Sequence, residues 1–204
     1  PPPPAGVTPQ VDPTEIAPPQ PQTSGVEILL DLDASTPGIQ STRDVRVGDV
    51  IRAAVVISNS PGVANFNFTL RYDKTKVFSP TFTGGPATDR NPDLNADALG
   101  GAAAQWECLP APAGDLDDIP DSNLGDKDPN VGEAFLSCFT FGYVHPGGTH
   151  VLATIEFQAL AAGDVTFSFA EVAVSGDSLG TEAGSCNPVL STEIPCVGAT
   201  LRIS

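Results

Sequence analysis

The 204-residue chain carries 25 acidic and 9 basic side chains, for a net charge of -16. That balance excludes nucleic acid and anionic membrane surfaces as partners, because phosphate groups demand Lys and Arg. A hydrophobic content of 40% suits one buried core of ordinary domain size. No apolar run reaches the roughly 18 residues of a spanning helix, so no membrane insertion is expected.

The chain opens on Pro1-Pro2-Pro3-Pro4 rather than Met, which reads as a processed product whose targeting signal has gone. Residues 1–25 add Pro9, Pro13, Pro18, Pro19 and Pro21, with Asp12 and Glu15 as the only charges. Such a segment favours polyproline II and builds no core, so it reads as an extended tail or linker. At about 3.1 Å per residue it spans about 75 Å. Thr8 and Thr14, set among the prolines, resemble the composition of an O-glycosylated stalk.

From Val26 the pattern becomes β. Val26, Ile28, Leu30 and Leu32 alternate with Glu27, Asp31 and Asp33. Val50 to Ile57 is rich in β-branched residues and runs into a turn signal, Ser58-Asn59-Ser60-Pro61-Gly62. In residues 63–72, Phe66, Phe68, Leu70 and Tyr72 alternate with Asn65, Asn67, Thr69 and Arg71. Further strands are expected over 77–82, 103–108, 134–143, 151–159, 165–169, 172–175 and 197–203. Pro146-Gly147-Gly148 and Ala162-Gly163-Asp164 read as turns between them. No stretch holds a 3.6-residue period. The expected fold is an all-β, antiparallel two-sheet jelly-roll sandwich over 26–204, preceded by the extended Pro-rich N-terminal tail of 1–25. An acidic insertion occupies about 84–130.

The four cysteines, Cys108, Cys138, Cys186 and Cys196, read as two disulfides formed in an oxidising compartment. Three connectivities exist, and the nearest pairs, Cys108–Cys138 and Cys186–Cys196, are expected. A zinc site would need a C-x2–4-C clamp, which the sequence lacks.

Within the insertion, Asp115, Asp117, Asp118, Asp121, Asp126 and Asp128 offer hard oxygen ligands at alternating positions, a pattern that suits Ca²⁺. The competing reading is a solvated acidic loop. Asn67-Phe68-Thr69 is an N-glycosylation sequon on the polar side of its strand. Gly176-Asp177-Ser178-Leu179-Gly180 matches the nucleophile-elbow pattern, but it lies late in a β chain with no downstream His, and it reads as a turn. His145 and His150 bracket a Gly-rich turn and are expected across a hairpin. Trp106, Tyr72 and Tyr143 are a thin supply for a sugar platform.

Several runs together resemble cohesin modules. They are Val47-Gly48-Asp49-Val50, then Ala54-Val55-Val56-Ile57-Ser58-Asn59, then the segment from Pro61 to Tyr72-Asp73. His150 to Ala159 with Ala162-Gly163 after it, and the closing Val197 to Ile203, resemble the family's C-terminal half. The likeness covers about 26–204. It implies a nine-stranded jelly roll, secreted by bacteria or archaea, without catalytic activity, in a family that binds dockerin modules or serves in surface structures. No short motif carries the dockerin contacts, so no binding residue transfers by position.

The functional expectation is a non-catalytic extracellular assembly protein, a cohesin-like subunit whose tail joins copies of itself into a filament or surface array. Ile16, Val26, Ile28 and Leu30 are the expected docking side chains, adding backbone to a neighbour's sheet edge. The alternatives are a cohesin that docks a dockerin-bearing partner and a carbohydrate-binding module that takes a glycan.

Overall fold

The computed structural model describes residues 25–78, 106–110, 128, 130–140, 144–175, 182–186 and 194–204. All regular structure in these residues is β. In chain order the strands are β1 (Glu27–Asp31), β2 (Thr42–Val45), β3 (Val50–Val63), β4 (Asn65–Asp73), β5 (Val77–Phe78) and β6 (Trp106–Pro110). They continue with β7 (Val131–Thr140), β8 (His145–Ala159), β9 (Gly163–Ser175), β10 (Glu182–Ser185), β11 (Cys196–Val197) and β12 (Ala199–Ile203).

Two sheets stack face to face. The first has the order β11-β1-β3-β8-β5, and the second β2-β12-β9-β4-β7-β6 with β10 also paired to β9. Pairing is antiparallel except at β1–β11 and β2–β12, which are parallel. The N-terminal run β1–β2 and the C-terminal run β11–β12 thus travel side by side from one sheet to the other. Gly198 sits at the second crossover, where any Cβ would collide with the Phe167 carbonyl oxygen.

The alternation read from the sequence is what fills the core. Val26, Ile28, Leu30 and Leu32 are buried from the first sheet, and Phe66, Phe68 and Leu70 from the second. An aromatic cluster locks the layers together. Phe157 of β8 lies 4.9 Å from Phe167 of β9 and 5.2 Å from Tyr72 of β4, measured between ring centroids. Tyr72 therefore belongs to the core, and its ring occupies the space that a side chain on its ladder partner Gly132 would need.

Two turn signals lie inside long strands, the first of them at a bulge. Residues 58–62 continue β3, and 146–148 continue β8, pairing Ser60 with Gly148 and Gly62 with Pro146. The register shifts between Ile57 and Ser60, where Asn59 takes a left-handed φ of 52°. Turn-forming residues here relieve the twist of a long ladder instead of ending it. As a result His145 and His150 lie on one strand and do not face each other across a hairpin. The two short strands expected at 165–169 and 172–175 are one strand, β9. Its inward parity changes from Val165 and Phe167 to Val172 and Val174 across a register shift opposite Thr69 and Leu70.

Turns at the strand ends are clasped by side chains. Gly48, at φ 94°, and Asp49 precede β3, with the Arg46 amide donating to Asp49 Oδ2 at 2.9 Å. Asp73 closes β4 by accepting the Thr75 amide at 2.9 Å, an Asx turn. Buried Asp31 accepts the Asp33 and Gln40 amides, each at 3.0 Å, on Oδ1.

Candidate functional site

The outward face of the second sheet is built around β4, which has β9 on one side and β7 on the other. Directly opposed residues of antiparallel strands share a face, so the register sets out four rows. Asn65 lies between Ser175 and Phe139, and Asn67 between Ala173 and Ser137. Thr69 lies between Glu171 and Phe135, and Arg71 between Ser168 and Glu133. The alternation that sends Phe66, Phe68 and Leu70 inward puts these residues on the opposite face of the sheet, where Thr69, Glu133 and Ser175 are themselves buried.

The upper rows form an open groove of about 200 Å³, lined on this face by Asn65, Asn67, Ser137, Phe139, Ala173 and Ser175. Its side chains are amides, hydroxyls, one methyl and one half-buried phenyl ring. Among the described lining residues none carries a charge, in a chain of net charge -16. Asn65 Nδ2 reaches Ser175 Oγ at 3.5 Å. Asn67 Oδ1 is buried and accepts no hydrogen bond. At the lower end, Arg71 Nε donates to Glu133 Oε1 at 2.6 Å, while buried Glu133 Oε2 accepts nothing. Buried acceptors are satisfied in the great majority of folded proteins, so two orphans on one face are a departure.

Elsewhere, among the described residues, two carboxylates are held below the usual aspartate range. The Ser35 hydroxyl, helped by that of Thr36, lowers Asp33. The Thr75 hydroxyl, followed by the Thr75 amide and Lys76, lowers Asp73 against partial desolvation. Both are turn clasps with local partners, not parts of the groove.

Of the residues singled out for Ca²⁺, Asp115, Asp117, Asp118, Asp121 and Asp126 lie outside the described residues. Asp128 is exposed, and its Oδ1 accepts the Asn130 amide at 2.9 Å in a turn that starts β7. Among the described residues no three His, Cys, Asp or Glu side chains gather as metal ligands. Ile16, Thr8, Thr14, Tyr143 and Ser178 also lie outside the described residues. Val26, Ile28 and Leu30 are 2%, 0% and 1% exposed. This corrects their assignment as docking side chains, because the alternation that marked them as apolar commits them to the chain's own core.

Cys186 and Cys196 form a disulfide with Cα atoms 5.8 Å apart, as the nearest-pair reading expects. Cys138 is disulfide-bonded, and its Cα partner across the β6–β7 ladder is Cys108. Asn67 of the sequon stands mid-strand inside the groove and not on an open polar surface. The groove itself is absent from the sequence reading. Its one visible signal is the neutral run Asn65, Asn67, Thr69, placed opposite phenylalanines that only the register reveals.

No protein-family model matches the sequence, and no curated protein matches it. Solved structures do match. A type II cohesin domain from the cellulosome of Acetivibrio cellulolyticus aligns over 87% of this chain and 94% of its own, at 17% identity and a TM-score of 0.50. A type I cohesin–dockerin complex of Clostridium thermocellum aligns over 88% and 99%, at 16% identity and a TM-score of 0.48. A non-cellulosomal cohesin of the archaeon Archaeoglobus fulgidus aligns over 88% and 91%, at 12% identity and a TM-score of 0.43. The chain has the fold of a cohesin-like domain, as the resemblance of its strand sequences implies.

Proposed function

We propose that this chain is a non-catalytic, extracellular docking module that binds a protein partner across the outward face of β9, β4 and β7. The observation that carries the reading is the uncharged groove around Asn65 and Asn67, with a buried amide oxygen that lacks a donor. Interface centres are depleted in charge and enriched in aromatic side chains, and they exchange hydrogen bonds at a modest density. Asn, Ser and Phe side chains on a rigid three-strand platform meet that description. A dockerin-bearing protein is the first partner to test, because the strand sequences resemble cohesins.

Filament formation through the tail loses three of the four side chains assigned to it, since Val26, Ile28 and Leu30 are in the core. A sugar platform loses Tyr72, whose ring packs between the sheets.

The test is calorimetric titration with a panel of purified dockerin modules, using the parent chain and its Ser137→Arg and Ala173→Arg variants. At least one dockerin should bind the parent, and both variants should weaken it by about tenfold or more, as unpaired charge enters a neutral interface. Absence of binding across the panel, or binding that ignores both variants, would contradict the reading.

A further inference from the structure

The Cys186–Cys196 disulfide joins parts of the two different sheets. The Cys186 amide donates to the Val172 carbonyl at 3.2 Å, which fixes that cysteine against β9 in the second sheet. Cys196 opens β11 in the first sheet and is the Cα partner of Ile28 on β1. Between them the bond fastens a strap, residues 194–197, across one side of the sandwich.

The strap is what covers the outer edge of β1. The opposite edge of β1 is fully paired with β3 from Glu27 to Asp31. On the outer edge the ladder to β11 is two residues long, Ile28 with Cys196 and Leu29 with Val197. The Ile28 amide donates to Pro195 O at 2.9 Å, and Ile194 is 2% exposed in the core below. So short a ladder holds weakly by itself, and an uncovered strand edge is a template for another chain.

Exposure separates the three cysteines whose burial is described. Cys186 and Cys196 are both half-buried at the surface, whereas Cys138 is 1% exposed. Thiol–disulfide exchange requires an attacking thiolate to reach a sulfur atom. We infer that Cys186–Cys196 is a redox-sensitive latch, opened by a dithiol while Cys138 stays bonded, and that opening it frees the strap and uncovers the edge of β1. One thiolate of the dithiol attacks a cysteine sulfur, and the S–S bond breaks with the other cysteine leaving as a thiolate. The reductant's second thiolate then resolves the mixed disulfide. Two electrons pass to the protein, leaving two cysteine thiols and a cyclic disulfide of the reductant.

The test uses the full chain under native conditions with graded dithiothreitol. Freed thiols are trapped by alkylation and located by mass spectrometry, and amide exchange is followed over 26–32 in the same samples. Cys186 and Cys196 should label together, about tenfold or more ahead of Cys138, as access dictates. Protection of the Ile28 amide should fall in the same interval, and in a parallel sample left unalkylated it should return on reoxidation. Labelling of Cys138 at an equal rate would overturn the inference. So would unchanged Ile28 protection once both Cys186 and Cys196 are alkylated.

Discussion

Arg71 Nε and Glu133 Oε1 are 2.6 Å apart across the β4–β7 ladder, yet the two side chains are 40% and 1% exposed. The acid is sealed and the base is half in water. The pair is therefore asymmetric, because removing Arg71 leaves a buried carboxylate without a counter-charge. Loss of one member of a buried pair costs about 3 kcal/mol or more, and the exposure of Arg71 places this case at the lower end. Arg71→Ala should lower stability by about that amount in urea unfolding, and Arg71→Ala with Glu133→Gln should recover part of the loss. Equal losses in the single and double variants would show that the ion pair is not the cause.

Gly132 is required by its neighbour and not by its own backbone. The Tyr72 ring fills the space above it, so Gly132→Val must displace Tyr72 from Phe157 and Phe167. Overpacking of this kind costs about 1–3 kcal/mol. Thermal unfolding of Gly132→Val beside Gly132→Val with Tyr72→Ala separates the collision from other effects, since the smaller partner should relieve it.

Phe157 is fully buried and bridges the sheets through Phe167. Phe157→Ala should cost about 3–5 kcal/mol, with Phe157→Leu well below that. A chemical-denaturation midpoint that shifts equally for both would argue against lost volume as the cause, since leucine restores most of the buried bulk and none of the ring contact.

Asp73 gives stability on the acid side a definite sign. Its carboxyl is held below the ordinary value of 3.8, chiefly by the Thr75 hydroxyl. A depressed folded-state value means the contribution is complete above the unfolded value and is lost as pH falls through the folded one. The acid arm of stability against pH should therefore begin near pH 4 and steepen below it. Asp73→Asn should flatten that arm by lowering stability at pH 7, where the carboxylate contribution is complete, while changing little at the acid end where Asp73 is already protonated. An unchanged acid arm in the variant would remove Asp73 from the account.

Asn67 ties modification to docking. Its side chain lies within the proposed groove, so a glycan on it would occupy the space that a partner needs. Chain made in a host that glycosylates the sequon should bind a dockerin more weakly than unglycosylated chain, and enzymatic removal of the glycan should restore affinity. Equal affinity would move the docking face elsewhere.

The layers and most strands are legible in the sequence because period-two alternation is a direct record of a two-faced sheet. Phe66, Phe68 and Leu70 point inward just where the pattern puts them. The reading fails where local chemistry has two structural uses. Ser58 to Gly62 and Pro146 to Gly148 carry turn residues, but a long twisted ladder can absorb such residues, the first as a bulge and the second in regular pairing, and only pairing decides. β2 escapes notice because Thr42-Arg43-Asp44-Val45 buries a single side chain, and its strand character comes from β12 beside it. The groove is less legible still. Asn65 and Phe139 are 74 positions apart in the chain, and their contact across β4–β7 is a fact of register. Val26, Ile28 and Leu30 show the converse error, in which an apolar stripe carries no mark of whether it faces its own core or another molecule.

The central claim is that a protein partner covers the outward face of β9, β4 and β7. Amide exchange of the full chain, measured with and without a bound dockerin module, tests it most directly. The account predicts added protection over 65–71, 131–139 and 172–175, with the first sheet unchanged. Protection confined to β3 and β8 of the first sheet, or to no strand at all, would contradict it.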